Sequence, residues 1–198
     1  MRQVFHGMAL FSAMALVVPA TAHAQGSLSF KGGVSFGNVS NKGVLPGTLS
    51  DRTGFAAGIA LGSQQGLIGF GIEALFDQRG VKSSATGTGT GYRLDYIDIP
   101  AYLRIALPTP GVSPFAYAGP QISFELRCRN VDGACPDGTR KKTDYAGVIG
   151  GGVTFGSEKR VSLEGRYIYG LSDLKLGTVT DANSYKTRTF LLLLGVPF

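Results

Sequence analysis

The final ten residues, Thr189-Phe190-Leu191-Leu192-Leu193-Leu194-Gly195-Val196-Pro197-Phe198, restrict this chain more than any other stretch. Counted back in twos from the last aromatic, Phe198, Val196, Leu194, Leu192 and Phe190 share one face of a strand, because successive side chains of extended backbone point to opposite faces. That face is entirely apolar. On a soluble edge strand such a row is a template for aggregation, so the segment requires a partner strand and an apolar medium. About ten residues is also what a tilted strand needs to cross the hydrocarbon layer. The expectation is one stave of a transmembrane β-barrel.

At the other end, Arg2 gives a positive start, Met8 to Val18 is a short apolar run, and Ala22-His23-Ala24 is a small-x-small site ahead of Gln25. Together they predict a cleaved secretory signal over 1–24 and a single mature domain over 25–198. No cysteine lies near the cut to carry a lipid anchor. The early apolar run is too short to span as a helix, and no later run reaches the roughly 18 apolar residues that a helical span needs. Thirty glycines disfavour helix, while 8 tyrosines and 12 phenylalanines favour strand. An exported all-β chain without a helical anchor is either a soluble barrel or a membrane one. The formal charge of +6 includes Arg2 and selects no partner by itself.

Alternation predicts eight strands in the mature chain: Ser27 to Phe36, Thr53 to Gly62, Leu67 to Asp77, Tyr92 to Leu107, Pro114 to Leu126, Asp144 to Phe155, Arg160 to Gly170, and the terminal stretch. Pro100 sits inside the fourth, which predicts a missing ladder bond or a bulge there. The connections alternate long and short. Asn38 to Arg52, Gln78 to Gly91, Arg127 to Thr143 and Leu171 to Lys186 are long and rich in turn residues. Ser63 to Gly66, Pro108 to Gly111 and Gly156 to Lys159 are short. An even strand number with short turns on one side and long loops on the other is the pattern of bacterial outer-membrane barrels.

A soluble eight-stranded ligand-binding barrel shares the alternation but turns its apolar face inward. Charge distribution separates the two. The apolar faces are free of charge at mid-strand, as lipid demands. The opposite faces carry Lys31, Glu73, Asp98, Arg104, Glu125, Glu164 and Arg166 with many glycines and serines, too polar for a soluble core. The expected fold is an all-β, eight-stranded, antiparallel up-and-down transmembrane barrel.

Leu94-Asp95-Tyr96-Ile97-Asp98-Ile99-Pro100-Ala101-Tyr102-Leu103-Arg104 carries a tyrosine, acidic, Ile-Pro, Leu, basic order, and Ala116-Tyr117-Ala118-Gly119-Pro120-Gln121-Ile122-Ser123 follows it. With Gly150-Gly151-Gly152-Val153, Glu164-Gly165-Arg166-Tyr167 and the terminal Phe198, the chain resembles the PorT-like outer-membrane β-barrel family, small porin-family-type proteins of Gram-negative bacteria. The resemblance implies an outer-membrane location and this architecture, and no particular activity. It also implies that Phe190, Leu192, Leu194, Val196 and Phe198 form the signal read by the outer-membrane assembly machinery.

Hydrolytic and acyl-transfer enzymes generally recruit a histidine base. The only histidines are His6 and His23, both within the signal, so the mature chain lacks imidazole for such a site or for a metal. No enzymatic activity, cofactor or metal is expected. The lumen of an eight-stranded barrel is just filled by side chains, so the seven inner charges are expected to form a paired network that closes it. The alternative is a narrow channel for ions or small solutes along the same residues. Cys128 and Cys135, in an exported chain, are expected to form a disulfide. Arg140, Lys141 and Lys142 are candidates for lipopolysaccharide phosphates, among outer-membrane lipids as general surroundings. Nucleic acid is not an expected partner, because the basic run lacks interleaved aromatics, and the barrel is expected to be a monomer.

Overall fold

Extended backbone dominates the computed structural model, which describes residues 26–39, 49–83, 91–130, 133–134, 142–156, 161–172 and 186–198. The strands are β1 (Gly26–Val39), β2 (Leu49–Gln65), β3 (Ile68–Ser83), β4 (Gly91–Ala106), β5 (Val112–Asn130), β6 (Gly133–Ala134), β7 (Thr143–Phe155), β8 (Val161–Gly170) and β9 (Thr187–Pro197). All pairings are antiparallel. The order β4-β3-β2-β1-β9-β8-β7-β5, with β4 also pairing β5, closes eight strands into a barrel; the two-residue β6 pairs only with the loop end of β5.

Closure joins the chain ends. Phe30 lies opposite Val196 and Phe36 opposite Phe190. The Phe198 N–H donates to the Leu28 carbonyl at 3.2 Å, and the Phe30 and Phe198 rings stack with centroids 4.2 Å apart. The seam therefore removes the edge that the apolar strand would otherwise leave open.

Gly66, Gly111 and Gly156 carry positive φ, one in each short turn. That backbone region admits glycine without steric penalty and lets neighbouring strands reverse within a few residues. The strands run longer than alternation predicts at the opposite, loop-side end: β3 continues past Asp77 to Ser83, β5 past Leu126 to Asn130, and β2 begins before Thr53. Beyond the apolar band the outer face no longer selects apolar residues, so the alternation fades while the ladder hydrogen bonds persist.

Pro100 leaves the β3–β4 ladder without the pairs between Ile72–Ala101 and Leu75–Asp98, yet the register is the same on both sides of the gap. The register step lies instead in the β4–β5 ladder, where Asp95 pairs with Arg127 and Tyr96 with Glu125, which leaves Leu126 as the extra, bulged residue of β5.

The outer wall is apolar from the short turns upward. Ile68, Phe70, Leu103, Ile105, Ile149 and Leu194 are each at least half exposed. The inner face differs from the polar expectation in one respect. Leu75, Val148, Ile168, Leu191 and Leu193 point inward and are buried in one cluster with Ala56 and Ala146. They fill the space between charged layers, as the narrow bore of an eight-stranded barrel requires.

Candidate functional site in the lumen and at the loop-side rim

Six side chains from five strands meet at mid-lumen. Lys31 of β1 donates through Nζ to Glu73 Oε1 of β3 and to Glu164 Oε2 of β8, both at 2.7 Å. Arg166 of β8 donates through Nη2 to Glu73 Oε2 and Glu164 Oε1, again at 2.7 Å. Its Nε donates to the Tyr117 hydroxyl oxygen at 2.7 Å, and that hydroxyl donates to Glu164 Oε1 at 3.0 Å. The Tyr102 hydroxyl donates to Glu73 Oε1 at 2.5 Å. Every carboxylate oxygen of the pair thus has a donor, and two cations face two anions. Such matching is what makes buried charge tolerable, since an unpaired ion in a low-dielectric interior costs several kcal/mol.

The seven residues expected in one network separate into layers. Lys31, Glu73, Glu164 and Arg166 form the middle. Asp98 belongs to a second cluster toward the loops, where it accepts from Arg79 Nη2 while Arg79 Nε donates to Asp77 Oδ2 at 2.6 Å. The Arg79 guanidinium also lies 5.0 Å from the Tyr96 ring centroid. Arg104 lies toward the short turns, bonded to Thr154 Oγ1 at 3.1 Å and stacked 3.9 Å from the Phe115 ring centroid. Glu125 is half-buried near the loop end of β5, and its backbone N–H donates to the Lys142 carbonyl at 2.8 Å.

Arg79 escapes the alternation reading, which turns Tyr102 and Tyr117 inward as the structure does. That reading ends the third strand at Asp77 and so places Arg79 in a loop; the structure buries it inside β3. The signal available was the spacing Glu73, Asp77, Arg79, which keeps period two on the inner face.

At the loop-side rim, Lys142 is exposed; Arg140, Lys141 and Cys135 lie outside the described residues. Cys128 is buried beside Leu94 and Tyr96 and is not a free thiol. Phe190, Leu192, Leu194, Val196 and Phe198 all face outward and are exposed. Among the described residues, no group of three or more His, Cys, Asp or Glu could hold a metal ion.

A family model described as outer membrane protein beta-barrel domain matches residues 23–176, well over half of the chain. The chain belongs to this family. It is an integral outer-membrane β-barrel protein, and barrels of that membrane generally keep short turns periplasmic and longer loops external. No curated protein matches it. Solved structures similar to this barrel include Neisserial surface protein A, at 16% identity and TM-score 0.49 over 87% of this chain and 99% of that one. The attachment invasion locus protein Ail of Yersinia pestis is similar at 16% and 0.48, with the same coverage. The outer membrane enzyme PagL is similar at 11% and 0.46, over 86% and 99%.

Proposed function

We propose that this barrel is a non-conducting outer-membrane protein whose role is structural or lies at its external surface, in membrane integrity or in loop-mediated contact. The observation that carries the reading is the Lys31–Glu73–Glu164–Arg166 layer, in which every carboxylate oxygen has a donor and side chains are drawn across the bore from opposite walls. Purified barrel in planar bilayers is expected to give no reproducible unitary steps. Steps that disappear in Glu164→Gln would overturn the closed lumen.

A second reading, a narrow ion channel, is favoured by the loop-side half. There Ser35 Oγ, Tyr96 OH, Gln121 Oε1, Asp144 Oδ1 and Thr189 Oγ1 are buried without a bonding partner, and buried polar groups of that kind are ordinarily satisfied by water. The same recording decides between the two.

The chain acts without catalysis in this proposal. PagL shows that such a fold can house an enzyme, so the support comes from residues: both histidines precede residue 25. The finer kinship with PorT-like barrels rests on the Tyr96 to Arg104 motif, whose Asp98 and Pro100 are buried in the lumen wall. A signal over 1–24 with cleavage before Gln25, reading of the terminal strand by the assembly machinery, and a monomeric state complete the proposal. Lipopolysaccharide is the surface partner, engaged at Arg140, Lys141 and Lys142.

Cys128 and Cys135 form a bridge across the third external loop in this reading, worth about 2.5 kcal/mol by chain-entropy arithmetic. Unreduced protein is expected to take up no thiol label, and full labelling at two sites would refute the bridge.

A further inference from the structure

On the loop side of the apolar cluster that includes Leu75, Val148, Ile168 and Leu191, the lumen holds a polar chamber whose charges do not balance. Asp77, Asp98 and Asp144 are buried there with one guanidinium, that of Arg79, which is bonded to Asp77 and Asp98. Asp95, also buried, is offset by Arg93 at 3.2 Å. Asp144 has no cation among the described residues: its Oδ2 accepts from the Thr187 hydroxyl at 3.0 Å, and its Oδ1 has no partner. Gly170 of β8 leaves room for that bond, since an added Cβ there would stand 2.2 Å from Thr187 Oγ1. Three aspartates against one arginine leave the chamber with an excess of negative charge among the described side chains.

The unpartnered oxygens share one corner. Ser123 of β5 lies between Asp98 of β4 and Asp144 of β7, opposite each in its ladder. Gln121 donates through Nε2 to Ser123 Oγ at 3.0 Å, and its own Oε1 has no partner. The Tyr96 hydroxyl is near enough to feel the charges of Glu125, Asp144 and Asp98, yet it bonds to none of them. Tyr96, Asp98, Gln121 and Asp144 are each at most 3% exposed. A phenol and carboxylates that face one another without a direct hydrogen bond call for something between them. Water satisfies neutral groups in such places, but it does not offset buried negative charge, whose desolvation costs several kcal/mol per ion. The fitting occupant is positively charged and donates hydrogen bonds.

A bare metal ion suits the corner poorly. It needs its oxygens within about 2.6 Å, and among the described residues no three acidic groups are gathered to hold one. An ammonium group reaches acceptors at about 2.8 Å in three directions, and so bridges oxygens that stand farther apart. We infer that the loop-side chamber binds a small aliphatic amine, whose ammonium group donates to Asp144 Oδ1, Gln121 Oε1 and the Tyr96 hydroxyl oxygen. A diamine is preferred over a monoamine, because Asp98 Oδ1 is a further unpartnered acceptor and the excess charge exceeds one. The apolar cluster separates the chamber from the mid-lumen layer, so the ligand enters from the loop side.

The test is titration of the folded, isotope-labelled barrel in detergent micelles with putrescine at neutral pH, followed through the backbone amide resonances of Asp98, Ser123 and Asp144. Wild type is expected to show saturable shifts at these amides, with methylammonium binding more weakly and tetramethylammonium, which has no N–H, giving none. Asp144→Asn and Tyr96→Phe, each checked for folding by heat-dependent gel mobility, are expected to weaken putrescine binding about tenfold or more. Absence of saturable shifts in wild type, the outcome if water or a bound proton fills the chamber, would overturn the site. Undiminished binding by either folded variant, or displacement of putrescine by an equal concentration of calcium or tetramethylammonium, would overturn it as well. Conductance is read separately, so a conducting lumen and an empty chamber are distinguishable results.

Discussion

Arg166→Met is expected to lower the unfolding free energy of the barrel by about 3–5 kcal/mol, the usual result of removing one partner from a buried ion network. The Arg166 side chain is fully buried and makes three charge-assisted contacts, to Glu73, Glu164 and Tyr117. Without it Glu73 and Glu164 share Lys31 as their remaining cation in this layer. Methionine fills much of the volume, so the loss reads out charge rather than cavity. Arg166→Lys should rescue only part of it, because a single ammonium cannot serve two carboxylates and a phenol in the planar geometry of the guanidinium. Glu73→Gln in the Arg166→Met background should recover stability by removing the stranded charge. The chain has no tryptophan, so urea unfolding in micelles is best followed by far-ultraviolet circular dichroism. A change below about 1 kcal/mol, the scale of an exposed pair, would mean that the layer is solvated and the lumen is not closed by it.

The barrel was legible in the sequence where lipid and lumen impose opposite demands. Phe30, Ile59, Phe70, Leu103, Leu163 and Leu194 alternate with Lys31, Ala60, Glu73, Arg104, Glu164 and Gly195, and the structure exposes the first group to the outside. The terminal run Leu191-Leu192-Leu193-Leu194 was legible only because Phe190 and Phe198 fix its parity. Its inward members Leu191 and Leu193, both wholly buried, carry no signal of their own, since leucine suits either side. Strand length at the loop end was illegible for a related reason: past Asp77 and past Leu126 neither face meets lipid, so nothing selects apolar residues on one side. That is why Arg79 read as a loop cation. Which charges pair was also beyond sequence reasoning, because Asp98 and Glu73 share the inner face but differ in height, and height depends on ladder register. The bulge at Leu126 is invisible for the same cause: one extra residue leaves composition unchanged while reversing the face of everything beyond it.

The largest effect is expected at the closing seam. Gly32 and Gly33 are adjacent on β1, opposite Leu194 and Leu193 of β9. A Cβ on Gly33 would stand 1.9 Å from the Leu192 carbonyl oxygen and 2.9 Å from the Leu193 Cα, whereas one on Gly32 would meet nothing nearer than 3.9 Å. The atoms in the way at Gly33 are backbone of the partner strand, which cannot turn aside as a flexible side chain would. Gly33→Ala must therefore push β9 away from β1 and break ladder bonds on both sides of the contact. Overpacking of this kind costs about 1–3 kcal/mol even where side chains can adapt, and here the displaced element is the one that abolishes the sheet edge. Folding into lipid vesicles, read by heat-dependent mobility and protease protection, should fail for most of the Gly33→Ala protein and proceed normally for Gly32→Ala. Deletion of Phe198, which removes its ring stack with Phe30 and the hydrogen bond to Leu28, should give an intermediate loss of insertion while leaving the mid-lumen layer intact in the molecules that close. Equal insertion of the two glycine variants would show that β1 and β9 do not meet at this register, and the seam would have to lie elsewhere.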